Sequence, residues 1–278
     1  MEKQTTKNNA SKEGKVMSFW DHLEELRGHI IRSLIAVVAL AGLAFANRHI
    51  IFDTIILAPS SSNFITYRLL CELGHKLSIS SLCIPKMHLE IINIKMSGQF
   101  LTHIYISVMA GFIMAFPYVL WEIWRFVQPA MHENERKYSR GGLLVSTLLF
   151  LIGIIFSYFL IVPLMVNFLG NYSVSQDVLN RISLSSYISS VVSVTFAVGV
   201  VFELPILVYF LTKIGVVTPG FLKKNRKYMI VVLLIVSAII TPPDMFSQVL
   251  VFVPLWALYE LSILVSKRVY KRIQKEAA

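Results

Sequence analysis

Apolar residues run in long blocks along this chain, and polar residues gather between them. Six blocks stand out, at roughly Ile30–Ala46, Phe100–Val119, Leu143–Val162, Tyr187–Leu211, Tyr228–Ile240 and Met245–Val265. A helix needs about 20 residues to cross ~30 Å of hydrocarbon. The first block is slightly short and the fifth clearly so. Thr241-Pro242-Pro243-Asp244 separates the last two and reads as a tight turn, because two prolines cannot continue a helix. The final pair is then a stubby hairpin that tilts little, thins the bilayer or is shielded by partners. The pattern predicts an all-α, polytopic membrane protein with six transmembrane helices.

Composition agrees. Hydrophobic residues make up 55% and charged residues 15%, with a mean hydropathy of +0.66. That is too apolar for a soluble globule. Lys and Arg number 26 against 16 Asp and Glu, a formal charge of +10. In a soluble protein such an excess would point to nucleic acid. Here the cations flank apolar blocks, so the positive-inside rule accounts for them. The amino end holds Lys3, Lys7, Lys12, Lys15 and Arg27. The segment after the second block holds Arg125, Arg136, Lys137 and Arg140. Lys213, Lys223, Lys224, Arg226 and Lys227 follow the fourth block, and Lys267, Arg268, Lys271, Arg272 and Lys275 follow the sixth. The loop after the third block has only Arg181. This alternation predicts both termini in the cytoplasm. The first outer loop, 47–99, also carries cations, but those spread through a long loop count less.

Residues 1–17 are polar and Lys-rich and read as a disordered cytoplasmic tail. Residues 269–278 form a basic cytoplasmic tail. Ala44-Phe45-Ala46 fits a cleavage pattern, but the polar region before it is long and partly acidic, so the first block is expected to stay. Phe19, Leu23, Leu26 and Ile30 repeat at helical spacing, with Asp21, Glu24 and Glu25 on the other face. This predicts an interfacial helix, opened by a Ser18–Asp21 capping pair, that bends into the first span. Its charges read most simply as a solvated face.

In the outer loop, Ala58-Pro59 and the serines after it mark a turn, and His88–Met96 reads as extended. Cys71 and Cys83 both fall in this loop. Either they pair, closing a small loop worth ~3 kcal/mol, or they remain buried thiols; spacing leaves both open. Gly111, Pro117 and Gly153 mark kinks or close helix contacts, and the third block ends at Pro163. Glu203, in Phe202-Glu203-Leu204-Pro205, is the ionisable residue set deepest in an apolar block. A carboxylate there costs several kcal/mol unless protonated, watered or paired, which makes it a candidate functional residue. The plainer alternative is a protonated glutamate bonded to carbonyls that Pro205 leaves free. Asp244 is placed to cap the last helix, and Gln248 follows one turn on. Glu260 sits near the inner end of the same helix.

The stretch Trp121–Arg140 gathers Glu122, Glu133 and Glu135, four cations, and Trp121, Trp124 and Phe126 into what reads as one short loop at the membrane surface. Such a loop offers negative charge and a flat apolar face to a positively charged peptide arriving from water. Enzymatic chemistry has little support. There is no Gly-rich phosphate loop and no Gly-x-Ser-x-Gly elbow, and His132-Glu133 lacks zinc-protease spacing. The 7 histidines are scattered, and none is read as a metal-ligand pair with a cysteine. No cofactor and no metal are expected.

The motifs His22-Leu23-Glu24-Glu25-Leu26-Arg27, Phe126-x-x-Pro129 with Glu135-Arg136, Phe202-Glu203-Leu204-Pro205 and Thr241-Pro242-Pro243-Asp244-x-Phe246-Ser247-Gln248 occur in this order. With the apolar blocks, they resemble the TatC family, the multispanning core subunit of the twin-arginine protein translocase, over roughly residues 18–268. The resemblance implies a cup-shaped helical bundle in the cytoplasmic (inner) membrane that exports folded proteins on the proton-motive force. It implies that a twin-arginine signal peptide docks at Glu25, Arg27, Phe126, Pro129, Glu135 and Arg136. Glu25 and Glu135 would pair with the two guanidiniums, whose planar forks suit carboxylates, and Phe126 would pack on apolar signal residues. Glu203 and Gln248, with Asp244 in the same polar set, match positions where single-span TatA/TatB-type subunits dock. Pro59 matches a structural position, and Pro205, Pro242 and Pro243 are also read as structural. Self-association is expected, and nucleic acid is not. The cysteine-bearing outer loop departs most from the family. A proton-coupled small-solute transporter is the alternative, since it too has a buried carboxylate and proline-broken helices, but no internal halves are evident.

Overall fold

A computed structural model describes residues 19–277 except 62, 78–82, 84–88, 128–132, 174, 176–179 and 243, with the backbone alone at 19, 21, 133–140 and 276–277. The amino tail, the Ser18–Asp21 capping pair, Pro129 and Pro243 lie outside this description. Helix α1 (Phe19–Ala46) carries the charged amino segment and the first apolar block in a single run of 28 residues. The predicted division into an interfacial helix and a separate span does not occur. No proline interrupts the run, and Gly28 alone costs only ~1 kcal/mol of helix propensity.

Between α1 and the next long helix lie a π-helical stretch Ile50–Ile56, a 3-10 turn Ala58–Ser60 with buried Pro59, helix α2 (Ile65–Leu77) and strand β1 (Glu90–Ile92). Cys71 and Cys83 are joined in this segment. Helix α3 (Gly98–Val127) then returns along α1. A Cβ at Gly111 would lie 2.5 Å from the Ala41 nitrogen, so glycine is what allows this approach. Pro117 sits within α3 without ending it.

Two sequence expectations fail here. Helix α3 continues to Val127 and α4 (Glu133–Phe156) starts soon after, so most of the predicted 121–140 loop is two helix ends. The charges that suggested a loop include Glu122, which is buried and belongs to a polar helix face. Likewise, the third block does not end at Pro163. Helix α4, a π-helical turn Ser157–Ile161 and α5 (Val162–Asn171) run on as one rod. In an α-helix the N–H of residue 163 would reach the Phe159 carbonyl, and proline has none. The Thr66 hydroxyl of α2 donates to that carbonyl instead. The Tyr67 hydroxyl sits 2.9 Å from the Pro163 carbonyl and 3.1 Å from that of Pro59. Burial pushes this phenol above the usual tyrosine range, so it remains a neutral donor.

Strand β2 (Arg181–Ser183) pairs in parallel with β1, placing Glu90 opposite Arg181 and Ile92 opposite Ser183. Three residues of the predicted extended stretch are therefore a strand that ties two loops together. The fourth block divides into α6 (Leu184–Val201) and α7 (Leu204–Lys213) at Phe202–Glu203, where Pro205 cannot donate back to Val201. Helices α8 (Pro219–Lys224), α9 (Arg226–Ile240) and α10 (Met245–Ala277) complete the chain.

Among the described residues, five segments are long and apolar enough to cross a membrane: His22–Ala46, Gly98–Val127, Gly141–Asn171, Leu184–Lys213 and Met245–Lys275. Helix α9 has 15 residues, about 22 Å at 1.5 Å per residue. The expected count of six therefore rests on α9, which is too short by length alone. The core forms where the third rod, α6 and α10 meet, around Ile161, Met165, Ile188, Val194, Val198, Val251 and Leu255. Gly153 admits Phe202 and Gly199 there. Helix α1 instead turns Ile30, Leu34, Ile35 and Val38 outward, each more than half exposed. Apolar surface on that scale suits lipid as the surrounding solvent.

Candidate functional site

The beginning of α1 and the end of α3 meet at one end of the bundle. His29 and Arg32 lie one turn apart on α1, and Glu122 and Arg125 one turn apart on α3. These two pairs mesh. Glu122 is 0% exposed. Its carboxylate lies 2.5 Å from His29 Nδ1, 3.1 Å from Arg32 Nε and 3.5 Å from Arg125 Nη1. His22 stacks on Phe126 at 4.4 Å, and His29 meets the same ring near edge-on at 6.0 Å. The Arg125 guanidinium also sits 4.9 Å from the Trp121 ring centre. Glu24, Glu25, Gly28, His29, Arg32 and Arg125 line a cavity of about 440 Å³.

The predicted docking residues separate on this frame. Glu25 lines the cavity, and its Oε2 is shielded from solvent with no hydrogen-bond partner among the described residues. Phe126 is beside it through His22. Arg27 is exposed on α1. Glu135 and Arg136 occupy the first turns of α4, where the backbone alone is described, and Pro129 is outside the description.

The intramembrane set also separates. Glu203 sits in the α6–α7 break, where Ser146 Oγ of α4 donates to its Oε2. Its Oε1 is shielded and has no hydrogen-bond partner among the described residues. Asp244 Oδ1 accepts from the Ser247 backbone N–H at 2.6 Å, capping α10. Gln248 Nε2 donates to the Leu234 carbonyl at 3.1 Å, tying α10 to α9. Asp244 and Gln248 thus serve the α9–α10 turn, whereas Glu203 bonds across to α4.

Sequence reasoning missed the Glu122 cluster. A signal was present: Arg32 lies inside the first apolar block and Glu122 just past the second, a cation and an anion at matching depth in neighbouring blocks. It also missed a cysteine–histidine pairing. His75 Nδ1 is 4.0 Å from Cys71 Sγ, and with Cys83 the three candidate ligand atoms lie within 4.8 Å of one another. The two sulfurs are joined to each other, however, and a disulfide presents no thiolate to a metal.

The family model for Sec-independent protein translocase protein (TatC) matches residues 21–254. The chain is 40% identical over 259 residues to Sec-independent protein translocase protein TatC of Blattabacterium sp. subsp. Periplaneta americana (strain BPLAN), covering 92% of this chain and 97% of that one. It is 36% identical over 263 residues to the TatC of Aquifex aeolicus (strain VF5), covering 93% and 100%. A crystal structure of twin arginine translocase receptor TatC is similar with TM-score 0.70 at 34% identity, over 89% of this chain and 99% of that chain. A second, in DDM, gives TM-score 0.72 at 35% identity, over 88% and 99%. A family match this long, on a bundle of long apolar helices, leads to one assignment: the chain belongs to the TatC family of Sec-independent protein translocase proteins and is a multi-pass protein of the cytoplasmic membrane.

Proposed function

We propose that this chain is the receptor of a twin-arginine translocase, and that it binds the signal peptides of folded cargo at the cytoplasmic end of α1 and α3. One observation carries this reading. Glu25 lines a polar cavity near the Phe126 ring, and among the described residues its shielded Oε2 has no hydrogen-bond partner. A guanidinium satisfies such an oxygen with a charge-assisted, directional bond. Apolar signal residues following the arginines meet Phe126. Glu135, on the first turn of α4, is the second carboxylate in this reading, and the signal also engages Arg27, Arg136 and Pro129. The run of cations at this end of the bundle supports its cytoplasmic orientation, with both termini inside and α9 as a short sixth span. The similar solved structures are twin arginine translocase receptors, which favours a translocase over a small-solute transporter.

In the same reading, Glu203, Gln248 and Asp244 mark where single-span TatA/TatB-type subunits dock. Copies of the chain associate, and the proton-motive force drives export without a cofactor. The Cys71–Cys83 bond staples the outer loop on the oxidising side of the membrane. The test is photo-crosslinking of a twin-arginine signal peptide to the full chain in lipid nanodiscs. Crosslinks are expected at residues 126–136, lost in Glu25→Ala and Glu135→Ala, and weakened when both signal arginines are lysine. Unchanged crosslinking in the Glu25→Ala/Glu135→Ala double variant overturns the reading.

A further inference from the structure

The proposed signal site contains more arginine than it needs. The Arg32 and Arg125 side chains are 45% and 46% exposed, yet each turns inward to Glu122. Both line the same cavity as Glu24 and Glu25. Among the described residues Glu25 Oε2 nonetheless has no hydrogen-bond partner, although solvent does not reach it. A carboxylate and two guanidiniums that line one cavity attract one another even where water has partial access. The guanidiniums do not collapse onto Glu25 because Glu122 holds both at once, with His29 against the same carboxylate.

We infer that Glu122 is a positioning residue for signal recognition: it sequesters the chain's own two arginines so that Glu25 is left unpaired for the incoming pair. This inference rests on the receptor reading above. Arg32 and Arg125 present the same chemistry as the signal peptide. Once released, they compete as tethered ligands at high effective concentration. The same contacts lock α1 to α3 and keep Phe126 in register with His22, so the acidic and aromatic halves of the site are set together.

The test is equilibrium binding of a fluorescent twin-arginine signal peptide to the full chain in nanodiscs. Glu122→Gln keeps the shape and removes the charge, and is expected to weaken binding about tenfold, the scale of one close charge pair. Adding Arg32→Gln and Arg125→Gln removes the competitors and should recover most of that loss. A merely structural Glu122 gives the opposite result, because the triple variant has fewer contacts still. In a Glu25→Gln background, Glu122→Gln should have no further effect. Should Glu122→Gln not fold, the triple variant is compared with Glu122→Gln/Arg32→Gln, where Arg125 alone competes. A triple variant that binds no better than its parent overturns the inference. If the unaltered chain does not prefer the twin-arginine peptide over its twin-lysine form, the receptor reading itself fails, which is a different result.

Discussion

Glu122 and Glu203 are both acids set among apolar helices, and the chain meets their needs differently. Three nitrogen donors from two helices surround the Glu122 carboxylate. Among the described residues one serine hydroxyl reaches Glu203, and the other oxygen of that carboxylate has no hydrogen-bond partner. Taking a carboxylate out of water costs several kcal/mol, and close, well-directed cations are what offset it. Glu122 obtains that compensation inside its own fold. Glu203 obtains little of it there, which suits a site completed from outside. One acid therefore organises its neighbours, while the other, in the function proposed above, is left for a partner.

The strongest way to break this contrast is to remove the satisfied acid. Glu122→Ala strands buried His29 and two guanidiniums without their anion. We expect it to lower the unfolding free energy by about 3 kcal/mol, the lower range for breaking a buried pair. Chemical denaturation of the purified chain in detergent measures this. Glu203→Gln should cost less than about 1 kcal/mol, because the amide oxygen still accepts the single bond from Ser146. The same variant should nevertheless recover much less single-span partner on affinity purification from membranes. Equal destabilisation by the two variants, or full partner recovery with Glu203→Gln, removes the distinction.

A smaller effect sharpens the Glu203 side. Ser146→Ala deletes the hydroxyl donor to this carboxylate, and we expect a loss of about 1 kcal/mol. If Ser146→Ala matches Glu122→Ala in the same denaturation series, Glu203 is a structural acid after all, held by its serine.

The sequence showed one side of this contrast and not the other, for a physical reason. Lipid demands about 20 apolar residues per span, so the blocks were visible. A carboxylate inside a block is rare and costly, so Glu203 stood out. The Asp244 cap and the Pro242 turn are local and could be read from their neighbours. Glu122 was disguised by the charges around it, which resembled a surface loop. Its partners lie 90 and 93 residues away on α1, and no local spacing encodes which face of α1 meets α3. Gly111 helps to set that face by admitting Ala41. The run of helix through Pro163 was hidden in the same way, because the hydroxyl that meets the Phe159 carbonyl comes from Thr66, 93 residues distant.

The least effect is expected where the geometry looks strongest. Arg226 Nη2 lies 2.6 Å from Glu260 Oε2, almost as short as the 2.5 Å His29–Glu122 contact. The side chains of Arg226 and Glu260 are 46% and 33% exposed, so water and salt compete for both charges. Arg226→Gln should therefore cost no more than about 0.5 kcal/mol. Even that should fade near 1 M salt, where the screening length falls to about 3 Å. Denaturation at low and high salt, beside Glu122→Ala, gives the comparison. A loss as large as that of Glu122→Ala, unmoved by salt, means that distance rather than burial sets the worth of these pairs. The difference between Glu122 and Glu203 then has to be explained by contact geometry alone.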